Sequence, residues 1–168
     1  MLQGEQPAGE GLEIGAVSGA MTAQLLAAFP GLRMIATDYD TGMVATARQT
    51  LAPFGDRASA ERADYAALPF DDNRVSLVLS AAMLHHVIAW DKALAEAVRV
   101  LRPGGRLVGS DLLDTAPIRL LHLGGKHDTS MLRRGQMESQ LSNLPVTGSR
   151  TRPAAGGLAV RFAASKAA

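Results

Sequence analysis

The 168-residue chain has no cysteine, few aromatic residues and almost no net charge, and each shortage removes a class of proteins. Without Cys there is no disulfide, no thiolate metal site and no cysteine nucleophile. None is needed, because a domain of about 150 residues buries roughly 70% of its unfolded surface and is held by its own core. One Trp, two Tyr and four Phe leave that core to Ala, Leu, Val and Ile. The formal net charge of +1 argues against nucleic acid held on a broad basic face. No apolar run reaches the ~18 residues of a membrane span. The first residues, MLQGEQPAGEG, lack the basic stretch and apolar run of a signal peptide. The simplest compartment for such a chain is the cytoplasm.

What is present alternates strand and helix. Residues 11–16 read as a buried strand and 19–28 as a helix, with Ser18 as its cap and Pro30 as its stop. A strand at 33–37 ends at Asp38, and Thr41 caps a helix running to Ala52, before Pro53. Residues 58–63 are a weak third strand and 74–80 a clear fourth. Asp91 caps a helix at 92–101, stopped by Pro103-Gly104-Gly105 ahead of a fifth strand at 106–111. This order predicts a single α/β domain with a parallel sheet covered by helices on both faces. The tail reads as helices at 116–123 and 129–141, then strands at 144–151 and 157–164. The connection 152–156 is too short for a crossover helix, so those last strands are antiparallel neighbours. Residues Ser165–Ala168 are expected to fray.

Two features point to chemistry. The first strand runs through Glu13, Gly15, Val17 and Gly19 into a helix. Such a joint gathers backbone N–H groups at a helix N-terminus and can hold an anion, although glycines there serve a tight turn equally well. Asp38 stands at the carboxyl end of the second strand, where an acid in a doubly wound sheet bonds ribose hydroxyls. A dinucleotide loop would need glycine at Val17 and Ala20 as well as at Gly15, which disfavours a nicotinamide dehydrogenase.

Four segments together resemble the class I S-adenosylmethionine-dependent methyltransferases of the small-molecule type, similar to the ubiquinone/menaquinone-biosynthesis enzymes (methyltransferase type 11). They are LEIGAVSG (12–19), IATDYD (35–40), ADYAALPFDDNRVSLVLSAAMLHHV (63–87) and VLRPGGRLVGSD (100–111). The resemblance implies a Rossmann-like, doubly wound, mainly parallel sheet with a reversed last strand. It implies S-adenosylmethionine as cofactor. Glu13, Gly15, Val17 and Gly19 would surround its methionine part, Asp38 its ribose, and Tyr39, Asp64 and Tyr65 its adenine. Ser80 and Ala81 would lie near the reacting methyl group. The family normally carries helices before the first strand, so a site opening at residue 11 is expected to be open or covered by a second subunit. An open apolar cleft favours a homodimer.

Val17 departs from the family, which has glycine at that position. Either the loop keeps negative φ with Val17 in the core, or the cofactor is displaced. Methyl transfer from a sulfonium is an in-line displacement served by alignment and needs no metal. His127-Asp128 lacks a third ligand at helical spacing, and His122 is isolated. His85 and His86, after the fourth strand, are candidates for the base that takes the acceptor's proton. Trp90 reads as a packing residue, and Arg133-Arg134 as a solvated face. The expected partner is a small organic acceptor. A catalytically silent domain of the same fold, acting as a binding or assembly module, is the alternative. Nucleic acid is also disfavoured because Ser80-Ala-Ala-Met83 is not the Asn/Asp-Pro-Pro-aromatic signature of amino-group base methyltransferases.

Overall fold

A computed structural model describes residues 6–121 and 131–168. His122, His127 and Asp128, with the adjoining ends of the two tail helices read from the sequence, lie outside the described residues. The elements follow in the order β1 (Gly9–Ile14), α1 (Ala20–Ala28), β2 (Leu32–Asp38), α2 (Thr41–Leu51), β3 (Ala58–Arg62) and β4 (Val75–Ala81). They continue as α3 (Trp90–Val100), β5 (Leu101–Leu112), α4 (Ala116–Leu121), α5 (Gln136–Ser142), β6 (Val146–Ala154) and β7 (Ala159–Lys166). The strands form one sheet in the order β3-β2-β1-β4-β5-β7-β6. β1 to β5 are parallel, and β7 runs antiparallel to both β5 and β6. This is the doubly wound sheet with a reversed last strand that the sequence leads one to expect.

The sheet buries both faces. Leu12 and Ile14 of β1 and Val78 of β4 pack with Leu94 and Phe162 on one side. Met34, Ala36, Leu77 and Leu79 meet Leu26, Val44 and Ala47 on the other. A strand buried on both faces has little polar alternation, which is why β1 and β4 read as apolar runs. In α3, Trp90, Ala93, Leu94, Ala97 and Val98 are buried, the i, i+3, i+4, i+7, i+8 stripe of a helix laid on a core. Each large side chain buried there contributes roughly 1.5–3 kcal/mol.

Several boundaries differ from the sequence reading. The N-cap of α1 is Gly19, not Ser18, and it takes a left-handed backbone at φ 75°. Asp40, not Thr41, caps α2, accepting from the N–H groups of Gly42 and Met43. α3 starts at Trp90, so Asp91 lies inside its first turn, where a carboxylate favours the helix dipole. β5 begins at Leu101, because Leu101 pairs with Val75 before the register shifts past the Pro103-Gly-Gly turn. β6 and β7 approach to a connection of only Ala155–Leu158, with Arg152 and Pro153 inside β6. Ser165 and Lys166 are not frayed. They pair with β5 and β6, and the Lys166 ammonium donates to the Asn73 side chain and the Arg99 carbonyl.

Candidate active site at the carboxyl edge of the sheet

The tips of β1, β2 and β4 and the turn after β3 share one edge of the sheet. The loop after β1 is tied to β2: the N–H groups of Gly15 and Ala16 both donate to the Thr37 carbonyl at 2.9 Å. The Thr37 hydroxyl returns the link by donating to the Glu13 carbonyl. Gly15 has φ 73° and a Cβ there would come 2.0 Å from Cγ of Met83, so only glycine lets Met83 close over the loop.

Val17 does not keep a negative φ or pack into the core, the first alternative drawn from the sequence. Its backbone is left-handed, at φ 50°, and its side chain is 54% exposed. A β-branched residue is strained there. The turn is held because the Val17 N–H donates to Oδ2 of Asp38 at 2.9 Å.

Asp38 is buried at the tip of β2, and its Oδ1 accepts from the Asp40 N–H. The Asp38 carbonyl accepts from the Ala63 N–H, which brings Asp64 beside it. Asp64 is exposed and turns its own chain by accepting from the Ala66 N–H. Tyr65 is brought in by its hydroxyl, which accepts from the Tyr39 N–H at 2.8 Å. Burial chiefly, with Asp38 and Asp40 nearby, pushes the Tyr65 phenol well above its ordinary range and keeps it protonated. Tyr39 is exposed, with the Arg62 guanidinium 4.8 Å over its ring.

Glu13 is buried at 2% exposure, and its Oε2 accepts from both the N–H and the hydroxyl of Thr22. Burial raises its carboxyl from 4.5 to about 7; the Thr22 bonds oppose the rise and the charge on Asp38 adds to it. Ser80 stands in register with Ile14 across β1 and β4. Its hydroxyl is fully buried and, among the described residues, has no hydrogen-bond partner. Ala81, beside it, is half-buried.

The two histidines part company. His85 is 2% exposed, with Nδ1 2.6 Å from Oδ1 of Asp111. His86 is exposed, its ring centroid 4.0 Å from that of His85. Asp111, which sequence reasoning did not single out, organises this turn. Its Oδ2 accepts from the N–H groups of Met83 and Leu84, and its Oδ1 from that of Leu112. It therefore fixes the loop after β4, including the Met83 that covers Gly15. The available signal was an acid at the end of a predicted strand, the same signal that singled out Asp38.

Residues 12–109, more than half of the chain, match the family described as "Methyltransferase domain". The chain belongs to this family. The methyltransferase domain is 37% identical over 113 residues to a demethylmenaquinone methyltransferase of Clavibacter sepedonicus, a match covering 67% of this chain and 44% of the relative. It is also 37% identical over 99 residues to a malonyl-[acyl-carrier protein] O-methyltransferase of Methylococcus capsulatus, covering 59% and 36%. The chain thus spans less than half the length of these relatives. The same fold occurs in phosphoethanolamine N-methyltransferase 2 of Haemonchus contortus, solved in complex with S-adenosyl-L-methionine. There the TM-score is 0.82 at 17% identity, over 97% of this chain and 50% of that one. Within the methyltransferase domain, Asp38, Asp64 and the Ser80 hydroxyl offer mostly acceptors. Such acceptors suit hydroxyls, an amino group and a cation better than a pyrophosphate. Among the described residues no helix is long and apolar enough to cross a membrane.

Proposed function

We propose that this chain transfers a methyl group from S-adenosylmethionine to a small organic acceptor. The carrying observation is the junction of Asp38 with the glycine loop and with Asp64. One carboxylate holds the loop through the Val17 N–H, and its backbone holds the next strand tip through the Ala63 N–H. When bound, the cofactor supplies a methyl group activated on a sulfonium. The chain's own residues hold and align. Asp38 accepts from the ribose hydroxyls, Asp64 accepts from the adenine amino group, and Tyr39 and Tyr65 flank the ring. Glu13, Gly15, Val17 and Gly19 border the methionine part, with Ser80 and Ala81 beside the methyl position.

His86 is the better candidate for the base. It is exposed at the turn that follows β4. His85 cannot meet an acceptor without leaving the core, so it acts as a positioning residue whose Asp111 bond fixes the turn carrying His86. His86 takes the acceptor's proton in this reading.

The test pairs two variants. Asp38→Ala should weaken binding of S-adenosylhomocysteine at least ten-fold in a calorimetric titration, as expected for losing about 1.5–3 kcal/mol of charged hydrogen bonds. His86→Ala should bind it like the wild type and lose methyl transfer to an acceptor found by labelled-methyl incorporation. Wild-type affinity in Asp38→Ala would overturn the reading, and full transfer by His86→Ala would remove that residue from it.

A further inference from the structure

The formal charge of +1 hides an uneven distribution. Residues 131–168 hold five Arg and one Lys against one Glu, while residues 1–130 hold 11 Lys+Arg and 15 Asp+Glu. Three of these arginines, Arg133, Arg134 and Arg152, gather at one place. A cavity of about 210 Å³ opens where the ends of β5 and β6 and the start of β7 meet the first turn of α5. Its floor is apolar, with Leu113, Met137 and Val160, and Arg133, Arg134 and Arg152 stand around it.

Among the described residues these guanidiniums have no hydrogen-bond partner. Among the described residues no carboxylate pairs with Arg133, Arg134 or Arg152. Among the described residues the acid on the wall is Glu138, which accepts from the Thr151 hydroxyl. Arg152 also faces Arg161 directly across β6 and β7. Like charges at opposed strand positions are destabilising, so the chain carries a cost here that a bound anion would remove. Gly157 gives the guanidinium room: a Cβ there would sit 3.3 Å from Nη2 of Arg134.

The geometry points to a binding site for a phosphate monoester carried on an apolar body, with Arg133, Arg134 and Arg152 as donors and the apolar floor under the carbon skeleton. Planar guanidiniums match phosphate oxygens two at a time, and a phosphate monoester offers three oxygens and nearly two charges. The cavity is smaller than the roughly 300–1,000 Å³ that encloses a whole ligand, so it seats one end of the molecule. It lies at the same sheet edge as His86. β5 and β7 separate β6, which carries Arg152, from β4, so those two strands are about 14 Å apart at the usual spacing. An extended small molecule is needed to reach from Arg152 to the turn after β4. Identifying this ligand with the methyl acceptor rests on the methyl-transfer reading above.

The probe is phenyl phosphate, titrated into the full chain by calorimetry beside benzoate and phenol. The expected result is one site per chain, with phenyl phosphate at least ten-fold tighter than benzoate and phenol undetected. Arg133→Gln, Arg134→Gln and Arg152→Gln should each weaken phenyl phosphate several-fold, with unchanged melting temperature and unchanged affinity for S-adenosylhomocysteine. Absence of phenyl phosphate binding, equal binding of benzoate, or an undiminished affinity in the triple Arg→Gln variant would overturn the site. Displacement of phenyl phosphate by a short oligonucleotide at lower concentration would reassign the arginines to nucleic acid and overturn it too. Loss of S-adenosylhomocysteine binding in the wild type, with phenyl phosphate still bound, would defeat the methyl-transfer reading and leave the anion site standing.

Discussion

Val17 is held at φ 50° by one bond to Asp38, in a backbone region that costs an L-residue roughly 1–2 kcal/mol. Glycine removes that strain but adds about 0.5–1 kcal/mol of unfolded-state entropy. Val17→Gly should therefore stabilise the fold modestly, raising the urea midpoint by the equivalent of up to ~1 kcal/mol. It should also tighten S-adenosylhomocysteine binding, because the exposed Val side chain no longer stands at the loop. A lower midpoint and weaker binding in the same variant would show that the Val side chain contributes contacts. The sequence correctly marks Val17 as the irregular position. It does not reveal the outcome, because β-branching alone suggests that the loop would avoid a left-handed turn instead of being pinned in one by an acid in the next strand.

Glu13 gives a residue-level pH signature. Its proton is held more tightly in the folded chain, where burial lifts the carboxyl from 4.5 to about 7. Its contribution to stability is fully present below about 4.5 and is lost as pH rises through about 7. The loss is of order 3 kcal/mol at one pKa unit per about 1.4 kcal/mol. Glu13→Gln keeps an oxygen for Thr22 and cannot ionise. Its melting temperature relative to wild type should rise between pH 5 and pH 8. A difference that stays flat over that range would place the Glu13 titration elsewhere.

At the level of elements, the site depends on two fastenings that local patterns do not display. Arg99, near the end of α3, bonds Glu96 and Asp72 and the carbonyls of Leu68 and Phe70. Glu96 also accepts from the Leu68 N–H, so α3 clamps the segment that begins with Asp64 and Tyr65. Asp111 does the same for the turn after β4. Asp111→Ala leaves the buried N–H groups of Met83 and Leu84 and the His85 ring without their acceptor. Urea unfolding should record a loss of about 3 kcal/mol or more. Tolerance of this change within 1 kcal/mol would mean that the turn is held by other contacts. α3 is readable in advance because its apolar stripe has helical period. The role of Asp111 is not, because its partners are backbone groups in an irregular turn nearly thirty residues earlier, and no spacing rule links them.

For the whole molecule, the alternation of strands and helices and the short last connection suffice to anticipate a parallel sheet with a reversed strand. The placement of Asp38 and Asp64 at one edge is legible because parallel topology sends successive strand ends there. The clustering of Arg133, Arg134 and Arg152 is not, because it arises only when α5 is laid against the meeting point of β5, β6 and β7. Net charge near zero conceals it. The account as a whole requires that the sheet edge bearing Asp38 and Asp64 accept an adenosyl ligand. The direct measurement is a crystal structure of this chain with S-adenosylhomocysteine. The account predicts both ribose hydroxyls within hydrogen-bonding distance of Asp38, at about 2.5–3.0 Å, and the adenine amino group against Asp64. A ligand seated elsewhere, or a carboxylate at position 38 turned away from the ribose, would contradict it.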